Sequence, residues 1–107
     1  MIKKILFIFL FSFTTIGFSQ EKSIEKLSAA PNPFTTQTKI TFTVTANENV
    51  TLVVKNVLGK QVFKKVYKAT QGKNSIEFYK NDLQSGVYIY RIQDSKNLIS
   101  KRFVIKQ

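Results

Sequence analysis

The chain has 107 residues, with 17 Lys and Arg against 6 Asp and Glu, a formal charge of +11, and neither cysteine nor histidine. That length allows one domain, and the missing residue types remove disulfides, the thiolate nucleophile, the commonest general base and the usual ligands of zinc, haem and iron–sulfur clusters. The positive excess favours anionic partners, while lysines on outward strand positions also keep a small β domain soluble and blunt its edges.

The first predicted element is a leader. Met1 to Lys4 form a short positive head, Ile5 to Phe18 is an almost unbroken apolar run, and Gly17 and Ser19 stand at the −3 and −1 positions of a cut before Gln20. This is the three-part pattern of a signal peptide over residues 1–19, and the run is too short and too rich in Ser and Thr to span a membrane. The expected product has no integral membrane segment after cleavage. Removal of residues 1–19 leaves 88 residues, and Lys3 and Lys4 leave with them, so fifteen cations stand against six acids at +9. Five of the ten phenylalanines also leave with the leader. With no disulfide, packing and backbone pairing alone must hold so small a body together.

Residues 20–28 read as a short linker or weak edge segment, carrying Ile24 and Leu27. The domain proper is expected over 29–107. It begins with Pro31-Asn32-Pro33, a stretch that cannot act as an inner strand because two of its residues lack a backbone N–H. It is held extended, with Asn32 expected to bond the local backbone and Phe34 to turn inward as the first core anchor. Lys39 to Thr45 then alternates, with Ile40, Phe42 and Val44 on one face. Val50 to Val57 is apolar on both faces through Val53, as an interior strand would be. Gln61 to Lys68 alternates poorly, since Lys64 falls between Val62 and Val66. Lys73 to Lys80 sets Ile76 and Phe78 opposite Ser75, Glu77 and Tyr79. Val87 to Gln93 sets Tyr88, Tyr90 and Ile92 opposite Val87 and Ile89, and Leu98 to Lys106 closes with Ile99, Phe103 and Ile105 on one face. Period two recurs and no helical stripe occurs.

The connections carry turn chemistry. Asn56-Val57-Leu58-Gly59 places Asn at the start and Gly where a left-handed residue is needed. Ala69 to Gly72 ends likewise in glycine, and Asp94 to Asn97 is expected to use Asn97 at positive φ. Asn81 to Gln84 looks like one helical turn before Ser85-Gly86 restarts extended chain. Short strands with a turn every eight to twelve residues predict an all-β, immunoglobulin-like antiparallel β-sandwich of six to seven strands. Tyr88 suits a tyrosine corner, its hydroxyl reaching back toward the Asp82 turn.

No chemistry-bearing constellation stands out, so no catalytic residue, cofactor or metal is expected. Gly59-Lys60 and Gly72-Lys73 lack the upstream glycine and the helix of a phosphate loop, and the six acids are too scattered for a calcium loop. Tyr88 and Tyr90 have the spacing of a stacking platform, but core packing accounts for them, and export removes nucleic acid as a partner.

Taken in order, "PNPF" at 31–34, "VTLVVKNVLGKQV" at 50–62, a lone Gly72, "NDLQSGVYIYRI" at 81–92 and "SKRFVIK" at 100–106 resemble the C-terminal sorting domain of the type IX (Por) secretion system of Bacteroidetes. The resemblance implies a non-catalytic passenger signal: an immunoglobulin-like sandwich exported via Sec to the periplasm and recognised by the type IX translocon. A sortase-like enzyme then commonly removes it and joins cargo to surface lipopolysaccharide, so the product is secreted or held at the cell surface. Carried onto this chain, the sorting motif comprises Pro31, Asn32, Pro33, Gly59, Lys60, Gly72, Ser85, Gly86, Tyr88, Lys101, Arg102 and Lys106. The family often has a bulky residue before Pro-Asn-Pro and a basic residue last, where this chain has Ala29-Ala30 and Gln107. Only Gln20 to about Leu27 separates leader from domain, which leaves no expected cargo. The alternative is a small secreted sandwich whose outward lysines, such as Lys64, Lys68 and Lys73, bind an anionic cell-surface polysaccharide.

Overall fold

The computed structural model describes residues 22–107; the leader at 1–19 lies outside them. Seven strands follow in chain order: β1 (Ile24–Ala30), β2 (Gln37–Val44), β3 (Glu48–Asn56), β4 (Gln61–Ala69), β5 (Gly72–Tyr79), β6 (Gly86–Gln93) and β7 (Leu98–Ile105). All strand pairs are antiparallel, in a three-stranded sheet ordered β1-β2-β5 and a four-stranded sheet ordered β4-β3-β6-β7. Among the described residues no helix is long and apolar enough to cross a membrane.

Alternation decides which side chains fill the space between the sheets. Ile40, Phe42 and Val44 of β2 face Val50, Leu52 and Val54 of β3 and Tyr88, Tyr90 and Ile92 of β6, all of them buried. Within that core Phe103 is the hub. Its ring lies 5.1 Å from Phe34, 5.4 Å from Phe78 and 5.0 Å from Tyr90, stacked on the last. Edge and stacked ring pairs add to the area term, which is how a body without disulfides holds together.

Residues 24–28 of the 20–28 segment expected as a linker or weak edge belong to β1, which runs on to Ala30 as an edge strand paired with β2. Its Ile24 and Leu27 are fully buried, which anchors it despite its polar remainder. The register slips between Glu25 and Ser28, where Lys26 takes φ +60. On β4, Lys64 belongs to the outward face. Phe63, Tyr67 and Ala69 face inward, and Phe63 packs edge-on to Phe78 at 5.2 Å. Lys65, on the inward parity, hangs past the core with its Nζ 5.3 Å from the Tyr67 ring.

Two turn expectations are corrected. Residues 81–84 make no helical turn: Leu83 N donates to Lys80 O at 3.0 Å, and Asn81 sits at φ +49, a left-handed residue from which a right-handed helix cannot start. Nor does Asn97 adopt positive φ. Asp94 closes that turn, its Oδ1 accepting from Lys96 N and Asn97 N at 2.7 Å each. Its carboxylate does what a left-handed residue would otherwise be needed for.

Candidate functional site

The double-proline segment leaves the first sheet and fastens to the second. After β1, Ala30-Pro31 and Asn32-Pro33 are both cis peptides, and the chain reaches the outer edge of β7. There Asn32 donates from Nδ2 to Arg102 O at 3.2 Å and accepts at Oδ1 from Val104 N at 2.9 Å. These partners lie 70 and 72 residues away, in place of the local backbone expected for Asn32. The reason is geometric. The prolines have no N–H to offer the β7 edge, so the side chain between them supplies both a donor and an acceptor.

Phe34 continues the ladder as an isolated parallel bridge to Ile105, its N donating to Val104 O at 3.0 Å and its O accepting from Lys106 N at 2.9 Å. Its ring is buried, as the sequence implies. Thr38 then locks the loop from inside. It is the one polar residue on the inward face of β2, only 2 % exposed, and its hydroxyl donates to Pro31 O at 2.6 Å. Sequence reasoning missed Thr38, although a threonine in phase with Ile40, Phe42 and Val44 is the signal of a buried polar tie.

Around this clip the end of the sandwich is built from the other motif positions. Gly86 pairs with Ile105 and Tyr88 with Phe103 across β6–β7, while Tyr88 pairs with Asn56 across β3–β6. The Tyr88 hydroxyl donates to Gln84 O at 2.6 Å, tying the Lys80–Gly86 connection back onto β6 as a tyrosine corner does. Asn56 caps the β3–β4 turn, its Oδ1 accepting from Leu58 N and Lys60 N at 3.0 Å, with Gly59 at φ +83. Thus Pro31, Asn32, Pro33, Gly59, Lys60, Ser85, Gly86, Tyr88 and Lys106 gather at one end, and Lys101 and Arg102 lie just along β7. Gly72 does not join them. It sits at the far end, φ +103, where the chain crosses from β4 in one sheet to β5 in the other.

The far end carries a titratable pair. Glu48 at the start of β3 faces Asp94, Glu48 Oε1 and Asp94 Oδ2 both being buried without a hydrogen-bond partner; the pull of the Asp94 carboxylate on a Glu48 proton, with burial and the Asp94 charge, raises the Glu48 carboxyl above its ordinary value. Burial pushes Asp94 up, but the polar groups around it, among them the Asn97 and Lys96 amides that bond its Oδ1, outweigh it and hold Asp94 well below the carboxylate range. Among the described residues no group of three or more acids stands close enough to hold a metal ion.

What the gathered end can do is present shape. It offers a sealed strand edge, two capped turns and a basic rim of Lys60, Lys101, Arg102 and Lys106, with no nucleophile–base pair among them. A family model described as "Secretion system C-terminal sorting domain" matches residues 28–106. No curated protein matches the chain.

Proposed function

We propose that this chain, which belongs to the type IX secretion system C-terminal sorting domain family, acts as a non-catalytic signal that the secretion machinery reads as a folded body. The observation that carries the reading is the family match over residues 28–106, which spans β2 to β7 whole and takes in the Pro-Asn-Pro clip. The strand order, with β1-β2-β5 against β4-β3-β6-β7, and the Tyr88 corner support an immunoglobulin-like sandwich as that body. On this reading the recognised module comprises the clip at Pro31–Pro33, the turn at Gly59-Lys60, Gly86 with Tyr88, and the basic tail from Lys101 to Lys106. The leader at 1–19 delivers the chain to the periplasm, the translocon carries it across the outer membrane, and a sortase-like enzyme releases it or attaches its cargo to lipopolysaccharide.

The test is transport. Residues 20–107 are fused behind a periplasmic reporter in a host with a working type IX system, and the reporter is followed to the medium or the cell surface. Its arrival there is the expected result. A reporter that stays in the periplasm while the attached domain is folded would overturn the reading.

A further inference from the structure

The two sheets turn unlike faces to solvent. On the three-stranded sheet the outward positions, Tyr79 apart, are mostly polar and balanced in charge, with Lys39 directly opposite Glu77 and Lys73 opposite Thr43. The four-stranded sheet is different. In one row across it Lys64 lies opposite Val53, and Val53 opposite Arg91; in the next, Lys55 lies opposite Ile89, and Ile89 opposite Arg102. Lys68 adds a fifth cation on the outward parity of β4. None of the described acids shares this face: Glu25 and Glu77 belong to the other sheet, Asp82 to a turn, and Glu48 and Asp94 to the far end.

Edge protection accounts for Lys64 and Lys68 on β4 and Arg102 on β7, but not for the other two cations. Lysines guard a sheet on its outer strands, whereas Lys55 and Arg91 sit on β3 and β6, the two inner ones. Nor is the face merely solvated, because apolar side chains stand between the cations. Val66 is 57 %, Leu98 61 % and Ile89 41 % exposed, and Val53 is closed over at 2 %. A shallow depression of about 210 Å³ runs between Val53, Lys55, Ile89, Arg91, Leu98 and Ser100. Beside it Arg91 Nε is buried without a hydrogen-bond partner, a donor aimed at no acceptor of its own chain.

We infer that the outer face of the four-stranded sheet is a docking surface for an acidic protein surface with an apolar centre. A polyanion would satisfy the cations but leave Ile89, Leu98 and Val66 in water, whereas a protein patch with carboxylates around an apolar middle matches both parts. Arg91 and Arg102 suit carboxylates in particular, since a guanidinium meets them with two parallel bonds. Four strands about 4.8 Å apart and eight residues long give a face of roughly 500 Å², at the small end for protein contacts, where binding is weak and reversible. That suits a module handed from one carrier to the next. The identity of the partner as part of the secretion machinery rests on the sorting reading above; the face and its chemistry do not.

The full chain is expressed in a type IX-competent host as wild type, as the outer-face triple Lys55→Glu/Lys64→Glu/Lys68→Glu, and as the opposite-face control Lys39→Glu/Lys73→Glu. With strand content of both variants checked by circular dichroism, the triple should lose about tenfold or more in extracellular yield, and the control should stay near wild type. Equal yields of triple and control overturn the docking face. In parallel the purified chain is titrated with an amphipathic helical peptide bearing Glu beside a Leu stripe, and with dextran sulfate. The peptide should shift the amide signals of Thr51, Val53, Ile89 and Arg91 and weaken about tenfold from low to high salt. Shifts elsewhere, or tighter binding of dextran sulfate, overturn the proposal. If the wild type itself remains in the periplasm, the sorting reading fails and the titration alone decides the face.

Discussion

Asn32 meets the β7 edge through its side chain, its Oδ1 accepting the Val104 amide at 2.9 Å while Nδ2 reaches Arg102 O at 3.2 Å. One side chain thus replaces two rungs of a ladder that the flanking prolines cannot make. Asn32→Ala should cost about 1–2 kcal/mol, each of these solvent-bordering bonds contributing modestly. Asn32→Asp keeps the acceptor, loses the donor and should cost less. Denaturant unfolding measures both, and faster hydrogen exchange at the Val104 amide in the alanine variant locates the effect.

Tyr88→Phe removes only the hydroxyl that donates to Gln84 O. The ring stays packed against Phe103 at 6.1 Å, so the expected loss is about 1 kcal/mol with the fold retained. A thermal melt that is unchanged would show that the tie to the Lys80–Gly86 connection adds nothing.

At Gly59 a Cβ would meet nothing within 4 Å, and φ is +83. The cost of Gly59→Ala is therefore conformational alone, about 1 kcal/mol. Gly59→Asn should lose less, because Asn tolerates the left-handed region. Comparing the two by chemical denaturation separates backbone strain from crowding, which predicts equal losses.

Glu48→Gln probes the far end. The raised Glu48 carboxyl stabilises the fold when protonated, and that contribution is lost as pH rises through its folded value; the lowered Asp94 contributes above the ordinary carboxylate range and loses its contribution only in strong acid. Wild type should thus give up stability as pH rises above the ordinary glutamate range and Glu48 ionises beside Asp94. The glutamine variant, which keeps a donor toward Asp94, should gain a few tenths of a kcal/mol at neutral pH, a small effect because solvent screens both groups. Melting curves across that range check it.

Much of the fold was legible because period two states which side chains face the core. Ile40, Phe42 and Val44 and the tyrosines of β6 lie where alternation puts them, and Phe34 turns inward after the prolines as expected. Turn chemistry marks Gly59, and the Gly-x-Tyr spacing marks the Tyr88 tie. Parity does not say which strands are neighbours, and the rest of the site depends on that. Lys64 reads as a defect in β4 while Val62 and Val66 stand for the core face, and as an ordinary outward residue once Phe63 and Tyr67 do. Local partners are the default for Asn32 because nothing near it in the chain announces β7. Asn97 and Asn81 likewise differ from expectation turn by turn: Asp94 caps the first with its carboxylate, and the Lys80–Leu83 turn takes its left-handed residue at Asn81.

The clip joins residue 32 to residue 104, and Ser23 at the head of β1 bonds the Asn97 side chain across 74 positions. Closure therefore waits on β7. A product cut short of that strand lacks the partner for its own beginning, and such distant pairings form slowly. Any receptor that demands the finished shape would in the same act reject truncated molecules, so fidelity of length comes without a separate inspection step.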